Sequence, residues 1–161
     1  MRILVYIEQR ENKIKKAALE SLSAAKEIAG KLNAEVTALV IGSGIKEVSA
    51  ELAKYGAAKI LVTEDSKLEK YSSSAYSKVI AEAVKKENAD IVFLSATSLG
   101  KDVSPRLAAK LEAGLCVDCT VLSVEGNEII ATRPVYAGKA LIDVKTKSKV
   151  KIYSLRPNVF P

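Results

Sequence analysis

Residues 94–122 read LSATSLGKDVSPRLAAKLEAGLCVDCTVL. They run from the end of a buried strand through a polar loop and a compact helix into another strand. The loop, 96–102, brings Thr97, Ser98, Gly100, Lys101 and Asp102 to the carboxyl end of a strand. In open α/β sheets ligands bind in the crevice at that edge, and a helix N-terminus there favours phosphate or carboxylate. Ser104 is suited to cap the helix with Pro105 in its first turn, and Asp102 competes for the cap. These five loop residues are therefore the candidate nucleotide-phosphate site. The ordinary alternative is an exposed lysine beside a capping aspartate, and it is favoured because the phosphate fingerprints are incomplete.

Upstream, the chain repeats one pattern. Apolar runs at 3–7, 36–41, 60–63 and 91–94 read as strands, each followed by a segment of helical periodicity. In the first such segment Ile14, Ala18, Leu22, Ala25, Ala29 and Leu32 form one buried stripe, with Asn12 as its cap. Strand–helix units in series predict a three-layer α/β/α domain around a mostly parallel, Rossmann-like sheet. Gly42-Ser43-Gly44 resembles a phosphate turn only in part, because Glu47 occupies the third glycine position of G-x-G-x-x-G. Ser72, Ser73 and Ser74 read as capping and loop residues.

Beyond Gly114 helical periodicity stops. Runs at 116–124, 129–136, 140–144 and 150–155, with turns between them, predict a C-terminal antiparallel β meander over 115–155, which is open to sharing a strand with the main sheet. Residues 156–161, RPNVFP, predict an extended tail, with a frayed terminus as the plain alternative. The whole of 1–161 is expected to form one domain, with βα units over 1–114.

Composition excludes several kinds of chemistry. With no histidine there is no Ser-His-Asp or Cys-His pair within the chain and no His-containing metal site. Cys116 and Cys119 form a C-x-x-C, yet they follow a helix where a redox-active pair usually opens one, and no second pair completes a zinc site. Two reduced thiols are expected, with no metal site and no catalytic group. The net charge is +6, but the lysines are dispersed and aromatics are 5% of residues, so no nucleic-acid partner is expected. No apolar run approaches the roughly 20 residues that span a bilayer, and the first residues lead directly into a strand. A cytoplasmic location without membrane insertion is the expectation.

Several motifs resemble one family. Gly100-Lys101-Asp102, then 105–111 (PRLAAKL), Ala113-Gly114-Leu115 and Asp118 are similar to the N-terminal domain of the electron transfer flavoprotein alpha subunit. So are 132–140 (TRPVYAGKA), Arg156-Pro157 with Phe160, and 3–8 (ILVYIE) at the start. The resemblance implies a fold like that of the adenine nucleotide alpha-hydrolases. It implies pairing with a homologous beta-type subunit in a complex that carries electrons from dehydrogenases to a quinone-linked acceptor. FAD in that family is held mainly by a second alpha-subunit domain that follows the Arg-Pro-x-x-Phe region, where this sequence stops. The chain is thus expected to be a fragment or a stand-alone relative that binds no cofactor tightly by itself.

Arg133, Tyr136, Arg156 and Phe160 match family positions and become candidate interface residues, toward a beta-type subunit or a second copy. The local alternative has Arg133 on a nearby carboxylate and Tyr136 packed under its turn. Two functions remain: a scaffold in an electron-transfer complex, or a stand-alone adenine-nucleotide module binding AMP through 97–102, with Ile7, Glu8 and Ile41 on the adenine side.

Overall fold

The computed structural model describes residues 1–160. Strand β1, Arg2–Ile7, is buried at every position after the first. Two short strands follow, β2 at Gln9–Arg10 and β3 at Lys13–Ile14, joined as a hairpin. Asn12 belongs to its turn, since Glu11 and Asn12 both take positive φ, as two-residue hairpin turns require. Asn12 therefore caps no helix. Helix α1 (Lys16–Leu32) begins after Lys15, which offers no capping side chain.

Strand β4 (Glu35–Gly42) leads into a short helix, α2 (Lys46–Ser49), which continues as a 3₁₀ segment over Ala50–Tyr55. Strand β5 is Lys59–Glu64 and helix α3 is Ser73–Glu87, capped by Ser72 as the sequence predicts. Strand β6 (Ile91–Ser95) then enters α4 (Ser98–Leu111). Strands β7 (Gly114–Cys119), β8 (Val121–Glu125), β9 (Glu128–Val135), β10 (Ala140–Val144) and β11 (Lys151–Leu155) complete the chain.

The main sheet has the order β5-β4-β1-β6-β11-β7, and every neighbouring pair is parallel. Alternate strand residues feed two cores. Ile3, Val5, Ile7 and Phe93 pack with Leu22, Ala25 and Ile28 of α1. Leu4, Tyr6, Val92 and Leu94 pack with Ile80 of α3 and with Val103 and Leu107 of α4. That alternation produces the three α/β/α layers. Among the described residues no helix is long and apolar enough to cross a membrane.

The antiparallel meander is shorter than the sequence suggests. Only β8, β9 and β10 form it, as a separate sheet in the order β10-β9-β8. β7 and β11 belong to the parallel sheet, with β11 between β6 and β7. Ile152, Tyr153, Ser154 and Leu155 are all buried, as a central parallel strand requires, and chain order alone conceals this. Two parallel strands need a crossover connection, and between β7 and β11 the meander takes the place usually held by a helix.

Helix α4 also starts earlier than expected. Thr97 is its cap, its hydroxyl accepting the Gly100 amide at 3.1 Å. The stripe of Leu99, Val103, Leu107 and Leu111 then faces the α3/α4 core from the first turn onward. Pro105 stands inside the helix on an exposed face, and Ser104 is buried and caps nothing.

Gly100 is where the helix meets the sheet. A Cβ there would lie 1.8 Å from the Ser95 carbonyl oxygen, a backbone atom that cannot rotate away. Gly100→Ala should cost about 1–3 kcal/mol, the usual range for overpacking a closed core. Urea unfolding followed by circular dichroism measures it, and an unchanged midpoint would show that α4 can lift off β6 freely.

Candidate functional site

The strand order reverses between β1 and β6, and the carboxyl ends of those strands open onto a cleft of about 1300 Å³. This is the switch point at which open α/β sheets take ligands. Its wall is made by Glu8, Thr97 and Ser98 from the strand ends, Tyr71 and Tyr76 from the α3 side, and Lys15 from the entry to α1. Ser43 and Gly44 contribute from the end of β4, with Gly44 at φ +67° in a turn that demands a glycine.

Of the five loop residues singled out from the sequence, Thr97 and Ser98 line the cleft, whereas Gly100, Lys101 and Asp102 are not part of its wall. Gly100 is committed to the contact with Ser95, and Asp102 accepts a hydrogen bond from the Tyr71 hydroxyl at 2.6 Å. Burial pushes the Tyr71 phenol well above its ordinary value, and the bond to Asp102 adds to the effect. Of the three residues on the expected adenine side, Glu8 reaches the cleft, while Ile7 and Ile41 are sealed in the two cores.

Glu8 alters the electrostatics of this end of the sheet. Its carboxylate accepts the Thr97 hydroxyl, directly beside the N-terminus of α4. A carboxylate in that position already complements the positive end of the helix dipole. A phosphate brought to the α4 N-terminus would stand next to a like charge.

The candidate interface residues lie apart from the cleft, around β7 and the meander. Arg133 of β9 donates its Nε–H to the Val117 carbonyl at 3.0 Å, not to a carboxylate. Tyr136 is 80% exposed at the tip of the β9–β10 hairpin, so it does not pack under its turn. Arg156 makes a two-pronged pair with Asp118, Nε to Oδ1 at 2.9 Å and Nη2 to Oδ2. Phe160 packs on the α1 side of the core, and the Asn158 amide bonds Glu20 of α1 at 2.9 Å. The tail 156–160 thus lies across its own domain, and Pro157 and Asn158 help to wall the cleft. Pro161, the last tail residue, lies outside the described residues.

Sequence reasoning missed the free edge of β10. Among the described residues that strand pairs with β9 alone, and Leu141 (66%), Ile142 (40%) and nearby Tyr136 stand exposed along it. The adjacent apolar residues Leu141 and Ile142, which a strand must turn to opposite faces, were the available signal.

The electron transfer flavoprotein domain family matches residues 3–161, and the chain belongs to that family. Electron transfer flavoprotein subunit alpha from Clostridium acetobutylicum is 36% identical over 161 residues, covering 98% of this chain and 48% of that protein. The Bacillus subtilis (strain 168) protein of the same name is 36% identical over 157 residues, with the same coverage. A protein from Anaerotignum propionicum, acryloyl-CoA reductase electron transfer subunit beta, is 34% identical over 128 residues, or 80% of this chain and 35% of its own length. The chain spans about half the length of the relatives it matches over nearly its whole sequence.

The Asp118–Arg156 pair makes stability depend on pH. The Arg156 hydrogen bond holds the Asp118 carboxyl below its ordinary value, against a smaller opposing effect of burial. A carboxyl lowered by folding adds stability that is present above its unfolded pKa and lost as pH falls through the native value. The melting temperature of Asp118→Asn should therefore lie below wild type at neutral pH and converge with it in acid. A constant gap across the acid range would show that the pair contributes no linkage.

Proposed function

We propose that this domain is a positional component of an electron-transfer complex. It would dock a beta-type electron transfer flavoprotein subunit and hold it near an FAD-bearing domain, without chemistry of its own. The observation that carries the reading is the bare edge of β10. An edge strand paired on one side, with exposed Leu141 and Ile142, is a template for a strand from another chain, since its outward N–H and C=O groups remain available. Lys139, Lys147 and Lys149 flank it, which favours a partner with an acidic rim. Membership in a family whose relatives are named as electron-transfer subunits supports the same reading.

Size-exclusion chromatography of the chain mixed at micromolar concentration with a beta-type subunit tests it. Co-elution is expected, and Leu141→Lys should weaken the complex on the order of tenfold, as loss of a central apolar contact does. Separate elution, or a Leu141→Lys variant that binds like wild type, would overturn it.

The cleft supports a second reading, an adenine-nucleotide module binding AMP. Its size and its place at the switch point favour it, and Glu8 beside the α4 N-terminus works against it. Native mass spectrometry with added AMP separates the two readings. The scaffold reading predicts a bare chain, whereas a bound nucleotide that is lost in Lys15→Ala, a side chain of the cleft wall, would establish the module.

A further inference from the structure

Cys116 and Cys119 lie on β7, three residues apart, and in a regular strand they would face opposite sides of the sheet. Here they do not. Cys116 stands opposite Tyr153 and Cys119 opposite Leu155, so a two-residue step on β11 meets a three-residue step on β7. The extra residue is a β-bulge, with Asp118 at φ +57°. The bulge turns both thiols into the same core, where Cys119 Sγ lies 3.5 Å from Cys116 Sγ. Both cysteines are free thiols, 2% and 0% exposed.

The bulge is held from every side. The Val117 carbonyl accepts the Arg133 Nε–H, the Asp118 amide donates to the Ser154 hydroxyl oxygen at 2.9 Å, and the Asp118 carboxylate accepts from Arg156. Side chains from β9, β11 and the tail thus fix the two intervening residues in the one conformation that aligns the sulfurs. Bulges re-aim side chains, and this one aims two nucleophiles at each other.

We propose that Cys116 and Cys119 form an intrachain disulfide on exposure to a small peroxide oxidant. A cross-link spanning only two intervening residues removes little entropy from the unfolded chain, so it is poorly suited to be a structural staple. A proximity this closely enforced serves oxidation chemistry. In the first step the Cys116 thiolate attacks one peroxide oxygen and the O–O bond breaks. The hydroxide released takes up the proton lost from Cys116, giving water and a sulfenic acid. Cys119 sulfur then attacks Cys116 sulfur, the S–O bond breaks, and the departing hydroxide leaves as water with the Cys119 proton. Two thiols are oxidised, one peroxide is reduced, and two waters form.

Cys116 is assigned as the attacking group on geometry: its sulfur receives the Cys119 S–H at 3.5 Å, and Arg133, held on the carbonyl of the next residue, Val117, sets a cation near it. The hydrogen bond from Cys119 holds its thiol below the ordinary value, burial opposes this, and the nearby Arg133 cation lowers it further. Cys119 is pushed the other way, first by that same hydrogen bond and then by burial. The donor keeps its proton until the second step, as a resolving thiol must.

The test is treatment of the full chain with hydrogen peroxide, then denaturation, alkylation and intact-mass measurement. Expected is a monomer lighter by two hydrogen atoms that takes up no alkyl group, reverting with a thiol reductant to a chain that takes up both. In Cys119→Ser, dimedone should trap a sulfenic acid on Cys116, whereas Cys116→Ser should give none on Cys119. Two alkylated thiols after peroxide, sulfinic acid in place of the cross-link, or a disulfide between chains would overturn the proposal. A dimedone adduct in Cys116→Ser alone would overturn the assignment of Cys116 as the attacking group.

Discussion

The ladder that β11 makes with β6 on one side and β7 on the other is the constraint on which the C-terminal third depends. Once Ile152, Tyr153 and Leu155 are buried between two parallel neighbours, the chain that precedes them must cross over the sheet. It does so as the meander, whose Leu122, Val124, Ile129 and Ala131 pack into the α1-side core and leave β10 outermost. The same ladder carries the bulge in β7, because β11 takes the shorter path between Tyr153 and Leu155. The backbone of Arg156, immediately after the strand, then bonds the Cys119 carbonyl, and the tail is directed back over α1. One strand insertion thus sets the exposed edge, the thiol pair and the path of the tail.

The two ends of the main sheet do different work. At the carboxyl end the switch point opens the cleft that the superfold commonly uses for ligands. In this chain Thr97 divides its hydroxyl between the Gly100 amide and the Glu8 carboxylate, which completes the helix cap from within the protein. A capping side chain contributes about 1 kcal/mol and leaves the first turn with less need of an external anion. Four exposed large apolar side chains, Val121, Tyr136, Leu141 and Ile142, gather on the meander. An edge strand with large exposed side chains is a liability for an isolated protein and an asset for a subunit. That contrast is why the positional reading outweighs the nucleotide reading.

Much of this was legible in the amino-acid sequence. The apolar runs of β1, β4, β5 and β6, the stripe of α1 and the Ser72 cap each follow from local pattern, because the faces of a parallel sheet covered by helices must be apolar. The position of β11 was not legible, since a five-residue strand reads alike in an edge hairpin and in the middle of a sheet. The start of α4 was misplaced because Ser104-Pro105 carries the usual mark of a first turn, while the deciding facts are tertiary. Those are Leu99 against the α3/α4 core and Gly100 against Ser95. The cleft residues Thr97 and Ser98 were readable from the strand–loop boundary, but the Glu8 contact spans 89 positions and leaves no local trace. The thiols' shared orientation depends on one left-handed aspartate, which C-x-x-C spacing does not encode.

Amide hydrogen exchange of the chain with and without a beta-type subunit tests the central claim most directly, because it reports the outward N–H groups of β10 individually. New protection is expected on Ala140–Val144 and around Tyr136, with the cleft residues Thr97 and Ser98 unchanged. Complex formation that leaves β10 exchanging as in the free chain, or that protects the cleft in its place, would contradict it.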